Sequence, residues 1–163
     1  MILVRPIHGF DTDGIEELLN RNADDLNWSH VDATWRARKI AEHAGLGVKA
    51  IRVGEFSDIN GQIVGVAILT RGPHDSTKHA AHLRLLVDKA HRGQGLGTEL
   101  VQKAVAYAQM FDIERVEAQP YTKADYVDFW SRCGFRYEGR RRNAARDIGT
   151  GKLVSTDVWA WTS

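Results

Sequence analysis

One short segment constrains this chain more than any other: a β-strand that runs through a glycine-rich loop directly into a helix. The strand is predicted over His82–Val87 and the helix over Leu96–Phe111, and the loop between them ends in RGQGLG at residues 92–97. Glycines let the backbone turn tightly, and the first N–H groups of a helix lack acceptors at the positive end of its dipole. The segment therefore predicts a site for a phosphate or pyrophosphate, to which Arg92 adds a forked cation.

Two other nucleotide-binding loops do not fit this spacing. A P-loop needs a lysine before its Ser or Thr, whereas Thr98 directly follows Gly97. A dinucleotide-binding loop has Gly-x-Gly-x-x-Gly after the first strand of its fold, whereas these glycines stand at 93, 95 and 97 and follow the fourth predicted strand. A glycine-rich turn that only tightens the helix start is the structural alternative to an anion site.

The rest of the chain predicts alternating strands and helices, which is a mixed α/β pattern. Strands are predicted over Ile2–Ile7, Ala50–Phe56, Ile63–Leu69, Ile113–Ala118, Phe135–Gly139 and Leu153–Trp161, and further helices over Asp13–Leu19, Val31–Ala44 and Ala124–Cys133. Asn60-Gly61 predicts a tight hairpin turn, because both residues tolerate positive φ. With 163 residues and no linker-like tract, the sequence predicts a single domain over residues 1–163.

Composition narrows the function classes. Lysine and arginine number 22 against 21 acids, so the net charge of +1 gives no bulk attraction to nucleic acid or to an anionic membrane. Cys133 is the single cysteine, which excludes an internal disulfide and a cysteine-based zinc cluster. No apolar run approaches the roughly 18 residues of a membrane span, and the start lacks a signal-peptide pattern. We therefore expect a cytoplasmic protein.

The loop and the elements after it resemble the GNAT-type N-acetyltransferases, in particular the bacterial small-molecule members. RxxGxG at residues 92–97, after a strand, resembles the pyrophosphate loop of that family. FWSRCGF at 129–135 is similar to its late helix, and EGR at 138–140 with DV at 157–158 resembles its final hairpin. The resemblance covers most of the chain in element order and residues 82–139 specifically. It implies a GNAT-like α/β fold with a twisted, mostly antiparallel mixed sheet flanked by helices.

The resemblance also implies a reaction: transfer of an acetyl group from acetyl-CoA to a primary amine, by direct attack in a ternary complex and without a metal. The cofactor-binding residues that it implies are Leu85, Leu86, Val87, Arg92, Gly93, Gln94, Gly95, Leu96, Gly97, Thr98, Lys123 and Trp130. Lys123 or its neighbour stands where the family usually has an asparagine. The implied acceptor is a small molecule such as an amino acid or a polyamine-like compound, with a protein N-terminus or lysine left open. Dimers are common in the family, so a homodimer is also left open.

Three residues are predicted to move protons. The resemblance places a base on the strand before the loop or on the next one, where His82 and Glu117 stand, and an unshifted histidine pKa near 6.5 suits this role. Many members protonate the leaving thiolate with a tyrosine of the late helix, but here Trp130 occupies that position and an indole N–H is a very weak acid. Tyr126, one turn earlier on the same helix face, is the substitute, and Tyr121 is the next candidate. A purely structural role is the alternative for each of them.

The remaining features leave several interpretations open. Six arginines crowd a span that holds one acid, Glu138: Arg132, Arg136, Arg140, Arg141, Arg142 and Arg146. They indicate a solvated surface, a contact with the 3′-phosphate of CoA or an acidic acceptor, or RNA, although aromatic residues for base stacking are sparse there. Cys133 is expected to be a buried thiol and not a nucleophile. Trp28, His30, Trp35 and His43 lie in the region that often covers the acceptor in the family, and a place in the core is the alternative for them.

Two other functions are alternatives to the acetylation of a small amine. The first is a non-catalytic acyl-CoA-binding or regulatory module, which the tryptophan at position 130 and the missing asparagine motivate. The second is a toxin-like acetyltransferase that acts on aminoacyl-tRNA, and nucleic acid is otherwise not expected as a partner. Turnover with a free amine discriminates against the first, and an effect of expression on growth favours the second.

Overall fold

One sheet collects the strands of the computed structural model, which describes residues 2–23, 49–56, 61–122, 125–147 and 150–163. The strands are β1 (Ile2–Pro6), β2 (Lys49–Phe56), β3 (Ile63–Arg71), β4 (Ala80–Val87), β5 (Arg115–Ala118), β6 (Arg136–Arg146) and β7 (Leu153–Thr162). The helices of these residues are α1 (Thr12–Arg21), α2 (Leu96–Met110) and α3 (Asp125–Arg132), with 3-10 turns at Gly9–Asp11 and Lys89–His91. The predicted α/β class with a mixed sheet is confirmed.

Some predictions concern residues outside this description. They are the helix over Val31–Ala44, the acceptor-side residues Trp28, His30, Trp35 and His43, the turn residue Asn60 and the cofactor residue Lys123. Gly61 lies inside the description and has a φ of +55°. This is the left-handed conformation that the predicted Asn-Gly turn requires.

The sheet has the spatial order β1-β2-β3-β4-β5-β7-β6, and its strands pair antiparallel except for β4 with β5. The parallel pairing of β4 and β5 covers Ala80↔Arg115, Ala81↔Val116 and His82↔Glu117. β4 continues to Val87, whereas its pairing with β5 ends at His82. The two strands therefore splay, and the backbone edge of residues 83–87 faces the resulting gap.

Helices cover both faces of the sheet. The predicted apolar stripe of α2 is confirmed, since Leu100, Ala104 and Ala108 are buried in one core cluster that also holds Trp130 of α3. α1 packs on the other face, where its apolar side chains meet those of β3 and Leu86 of β4. A Cβ at Gly65 of β3 would lie 3.0 Å from Leu100, so this glycine allows α2 to approach the sheet closely.

Several element boundaries differ from the prediction by one or two residues, and that of β6 differs by more. β6 runs to Arg146 and not only to Gly139, and β5 begins at Arg115, two residues later than predicted. β6 is an edge strand whose residues are nearly all exposed, so it lacks the period-two apolar pattern on which strand prediction depends. Its pairing with β7 also shifts register twice, near Gly139 and near Asn143, which has a φ of +51°. Within the described residues, no helix combines the length and the apolar character needed to cross a membrane.

Candidate active site

A cavity of about 910 Å³ opens at the gap between β4 and β5. This volume lies in the range of roughly 300–1,000 Å³ that is usual for cofactor and small-molecule sites. Of the predicted cofactor residues, the cavity is lined by Leu85, Leu86, Val87, Arg92, Gly93, Gly95, Gly97, Thr98 and Trp130. Gln94 is exposed on the loop, and Leu96 is buried in the core beneath it. The structure thus brings most of the predicted set to one place.

The glycine-rich loop owes its shape to two left-handed residues. Gly93 has a φ of +75° and Gly95 a φ of +84°, and a Cβ at either position would meet no described atom within 4 Å. The backbone conformation, and not lack of space, therefore requires glycine here, at a cost of roughly 1–2 kcal/mol for another residue. Gly95 precedes α2, and its carbonyl accepts the N–H of Glu99 at 3.0 Å. The N–H groups of Gly97 and Thr98 have no acceptor within the helix and suit an anion.

The start of α2 also contacts α3. A Cβ at Gly97 would stand 3.2 Å from the ring of Phe129, so this glycine serves packing and not a special dihedral angle. Phe129 meets Trp130 edge-on, with ring centroids 5.0 Å apart, and Trp130 packs on Phe135 in turn. Only 5% of Trp130 is exposed, and its Nε1 has no hydrogen-bond partner among the described residues. Trp130 thus belongs to the core as well as to the cavity wall.

A buried polar cluster anchors the loop to the end of α1. The Asn22 side chain donates to the Leu18 carbonyl at 2.9 Å and to Asp88 at 3.3 Å, and its Oδ1 accepts the N–H of Lys89 at 3.0 Å. Asp88 also lies 3.3 Å from Arg21 and from His91. Burial acts to raise the pKa of Asp88, but the hydrogen bonds from Asn22 and Arg21 outweigh it and hold the pKa below its ordinary value. No local sequence pattern indicates this cluster, because Asn22 and Asp88 are 66 residues apart in the chain.

Glu117 of β5 lines a smaller pocket beside the main cavity, and neighbouring side chains hold its carboxylate. It accepts hydrogen bonds from Arg115, at 2.8 Å, and from Gln119. Burial favours a higher pKa, yet these two donors lower the pKa of Glu117 below its ordinary range. A carboxylate held in the charged form is a poor proton acceptor, although it stabilises a cation nearby. Its register partner on β4 is His82.

His82 is the more suitable base of the two. Burial lowers the pKa of His82 below its ordinary value, the charge of Arg84 lowers it further, Glu117 opposes this shift, and Arg141 adds to it. The imidazole is therefore neutral at neutral pH, and its Nε2 has no hydrogen-bond partner in the described part of the chain. His82 lines the main cavity and also a smaller pocket, of about 270 Å³, that Glu117 shares.

The predicted tyrosines and the cysteine differ in where they lie relative to the cavity. The backbone of Tyr126 lies in α3, but its side chain is outside the described residues. Tyr121 is buried, lines the cavity and forms an isolated bridge with Thr156 of β7. Burial and the charge of Asp147 raise the pKa of Tyr121, so its phenol keeps a proton that it can donate. Cys133 is half-buried and is not part of the cavity wall, and burial raises the pKa of its thiol.

Four of the six arginines in the arginine-rich span fall into two groups. Arg140 pairs with Asp157 at 3.2 Å, and Arg146 donates to the Gly151 carbonyl at 2.7 Å. Arg132 and Arg141 line the cavity instead. The interpretation as a solvated surface therefore fits part of the span, and two of its members reach the site.

Comparisons with known proteins agree with this geometry. The family model described as acetyltransferase (GNAT) family matches residues 16–135. A GNAT-family acetyltransferase from Streptococcus pneumoniae is similar over 100% of both chains, with 20% identity and a TM-score of 0.82. A ribosomal-protein-alanine N-acetyltransferase from Brucella melitensis is similar over 99% of both chains, with 18% identity and a TM-score of 0.81.

A third solved structure, yncA from Salmonella typhimurium with its cofactor acetyl-CoA, aligns with 99% of this chain and 94% of its own. Its sequence identity is 18% and its TM-score 0.81. At identities this low, the structural similarities establish the fold alone. No curated protein matches the sequence significantly.

Proposed function

The chain belongs to the acetyltransferase (GNAT) family and is an N-acetyltransferase, and from that premise we propose that it transfers the acetyl group of acetyl-CoA to the primary amine of a small molecule. The observation that carries the proposal is one cavity that joins three parts. These parts are the splayed edge of β4, the left-handed glycine loop at the start of α2, and the neutral imidazole of His82. We further propose that residues 1–163 are a single catalytic domain that acts in the cytoplasm.

The donor end fits the CoA part of the cofactor. The pyrophosphate would be held by the N–H groups of Gly93, Gln94, Gly95, Gly97 and Thr98, with Arg92 beside them. The absence of Cβ atoms at Gly93 and Gly95 lets a phosphate approach the main chain. The pantetheine would run along residues 85–87, where the edge of β4 has lost its β5 partner. Arg92 is positioned for this role, because its Nε donates to the Val87 carbonyl at 3.0 Å.

The acceptor end supplies proton chemistry. Bound acetyl-CoA provides the thioester whose carbonyl carbon takes the amine lone pair, so that a C–N bond forms, the C–S bond breaks and CoA leaves as a thiolate. His82 takes the proton that the amine loses, and the carboxylate of Glu117 stabilises the imidazolium that forms. Tyr121 donates a proton to the thiolate, while Tyr126 stays a prediction for this role. An α-amino group, with a pKa near 8, needs less help from the base than a lysine-like amine near 10.4.

Binding of acetyl-CoA tests the donor site directly. Isothermal titration of acetyl-CoA compares the wild type with Gly95→Asp, which places a carboxylate where the pyrophosphate would lie. Gly151→Asp is the matched control, because Gly151 also has a positive φ, of +69°, and open space around it, but lies in the β6–β7 turn. We expect micromolar binding to the wild type and the control and none to Gly95→Asp. Absence of binding to the folded wild type, or equal binding to all three proteins, would contradict the proposal.

A further inference from the structure

The last residue of α3, Arg132, places a second guanidinium at the glycine-rich end of the cavity. It lines the cavity, as do Arg92 and Gly93 of the loop and Thr98 of α2. Its side chain is exposed, and its guanidinium forms no hydrogen bond or ion pair with the part of the chain that the structure describes. Arg132 is therefore a cation of the cavity wall that the packing of the protein itself does not use.

Contacts of the residues around Arg132 hold it beside the first turn of α2. Phe129, three residues earlier, lies 3.2 Å from the place of a Cβ at Gly97. Cys133, the next residue, has a hydrogen bond with Thr98. Burial raises the pKa of the Cys133 thiol, whereas that hydrogen bond and the charge of Arg132 lower it. The guanidinium thus acts electrostatically on a group that touches the same helix turn whose free N–H groups suit an anion.

The carboxylates around this turn leave the charge of Arg132 in place. Asp88 is buried and is bound by Asn22 and Arg21. Glu99 of α2 and Asp128, one helical turn before Arg132, are exposed and are not part of the cavity wall. Among the described residues, neither of them pairs with Arg132. An anion that enters from the cavity therefore meets the guanidinium without displacing a protein carboxylate from it.

The covalent structure of CoA separates its phosphates into two groups. The pyrophosphate joins the pantetheine to the adenosine, and a third phosphate is carried on the 3′ oxygen of the adenosine ribose. The proposed function has the pantetheine along residues 85–87 and the pyrophosphate on the loop, with Arg92 beside it. The adenosine then continues beyond the loop, where Arg132 supplies the positive charge of the wall. The remaining arginines of the wall, Arg84 and Arg141, act on His82 instead.

On the basis of the proposed function, we infer that Arg132 binds the 3′-phosphate of CoA and thereby makes the enzyme selective for the free coenzyme as its acetyl donor. The forked guanidinium can donate two parallel hydrogen bonds to one phosphate group. A donor that carries its acetyl group on 4′-phosphopantetheine alone, as an acyl carrier protein does, has no anion to offer at this place. The same holds for 3′-dephospho-CoA, which keeps the pantetheine, the pyrophosphate and the adenosine.

The experiment compares two ligands that differ only in this phosphate. Isothermal titration with CoA and with 3′-dephospho-CoA gives Kd for the wild type, Arg132→Gln, Arg132→Lys, Arg92→Gln and Arg136→Gln, and it needs no acceptor. Arg136 is the matched control, since it is also exposed and follows Arg132 by four residues but does not line the cavity. Arg92→Gln removes a charge from the pyrophosphate end, which both ligands share. Melting temperatures show that each variant is folded.

We expect the wild type to bind CoA about tenfold more tightly than 3′-dephospho-CoA. Arg132→Gln should raise Kd for CoA about tenfold and leave Kd for the dephospho form unchanged, so that the ratio of the two approaches one. Arg132→Lys keeps a charge without the fork and should retain part of the preference. Arg92→Gln should weaken both ligands alike and preserve their ratio, and Arg136→Gln should match the wild type.

Three results would overturn the inference. Equal binding of the two ligands by the wild type would remove the 3′-phosphate from recognition and leave the proposed function intact. An Arg132→Gln variant that weakens both ligands equally would assign Arg132 to the pyrophosphate. An Arg132→Gln variant that keeps the wild-type preference would assign the 3′-phosphate to another group. A wild type that binds neither CoA nor acetyl-CoA refutes the proposed function itself.

Discussion

The two ends of the cavity are built in different ways. At the proposed donor end, the backbone makes the site: Gly93 and Gly95 set the shape of the loop, and the first N–H groups of α2 complete it. At the proposed acceptor end, side chains make the site: His82 of β4 and Arg141 of β6 line the cavity, and Glu117 of β5 is the register partner of His82. A backbone site tolerates changes of side chain except at glycine, whereas a side-chain site depends on every group and on its charge. Substitutions at the two ends should therefore affect different quantities.

The largest effect is expected from His82→Gln. Loss of a general base lowers the rate by about 10²–10⁴-fold, so kcat/KM should fall by that factor while Kd for acetyl-CoA stays unchanged. Burial lowers the pKa of His82, so wild-type activity should fall only as pH drops below the ordinary histidine pKa near 6.5, because the protonated ring cannot accept a proton. The pH profile of kcat/KM for both proteins checks this. A variant that kept the acid limb of the wild type would assign that limb to another group.

The next effect belongs to the donor end. Gly95→Ala forces a Cβ into a left-handed conformation, which costs about 1–2 kcal/mol and should raise Kd for acetyl-CoA roughly 5- to 30-fold. kcat at saturating acetyl-CoA should change little, because the reacting atoms lie at the other end. Titration and steady-state kinetics separate the two quantities. Gly151→Ala, with the same kind of strain far from the cavity, should lower the melting temperature without altering Kd.

A smaller effect on acetyl-CoA binding is expected from a substitution in the polar cluster of Asn22 and Asp88, which anchors the glycine-rich loop. Asp88→Asn weakens the contacts with Arg21 and Asn22, so KM for acetyl-CoA should rise a few-fold with kcat preserved. Asp11→Asn is the matched control, since Asp11 is equally buried and binds Arg5 through two bonds of 2.8 Å, away from the cavity. Both variants should lose about 1–3 kcal/mol of stability at neutral pH, and only Asp88→Asn should alter KM. Equal KM values would show that the cluster is structural only.

Acid titration adds a check on these two carboxylates. Burial acts to raise the pKa of Asp11 and Asp88, but their hydrogen bonds outweigh it, so both pKa values in the folded protein lie below the ordinary value. Their stabilisation is therefore present above the unfolded pKa near 3.9 and is lost as pH falls through the lower folded value. The stability difference between the wild type and either variant should shrink below about pH 4, which denaturant titrations at a series of pH values measure.

The two ends of the cavity also differ in how far they could be predicted from the sequence. The donor end was predictable because its strand, loop and helix are contiguous, and glycine spacing encodes their dihedral angles locally. The cluster of Asn22 with Asp88, and the convergence of His82 and Arg141 on one cavity, depend on strand register and on contacts between distant segments. The continuation of β6 beyond Gly139 could not be predicted from alternating apolar and polar residues, because both faces of that edge strand are exposed.

Glu117→Gln tests how the charge of Glu117 affects His82, and a smaller effect on the rate is expected from it. The Glu117 carboxylate raises the pKa of His82 against the effects of burial and Arg84. Its removal should lower the pKa of His82 further, so the acid limb of kcat/KM should move to lower pH while the maximal rate falls a few-fold. Glu138→Gln is the control, because Glu138 also binds Arg115 but is not among the residues whose charge acts on His82. An acid limb that moved to higher pH would reverse the proposed sign.

The smallest effect is expected from Cys133→Ala, and it tests the division of the cavity itself. If the acetyl group passed through a covalent enzyme intermediate, donor and acceptor would not need to be bound together, and the two ends would act in turn. Cys133 is half-buried, lies off the cavity wall and has a thiol pKa raised by burial, which makes it a poor nucleophile. We therefore expect kcat/KM within about twofold of the wild type, and no acetylated protein by mass spectrometry after mixing with acetyl-CoA alone. His82→Gln in the same assay shows that a real loss of turnover is detectable. A Cys133→Ala variant without turnover would mean that the acetyl group travels by way of the thiol, and the two ends would then be successive sites and not simultaneous ones.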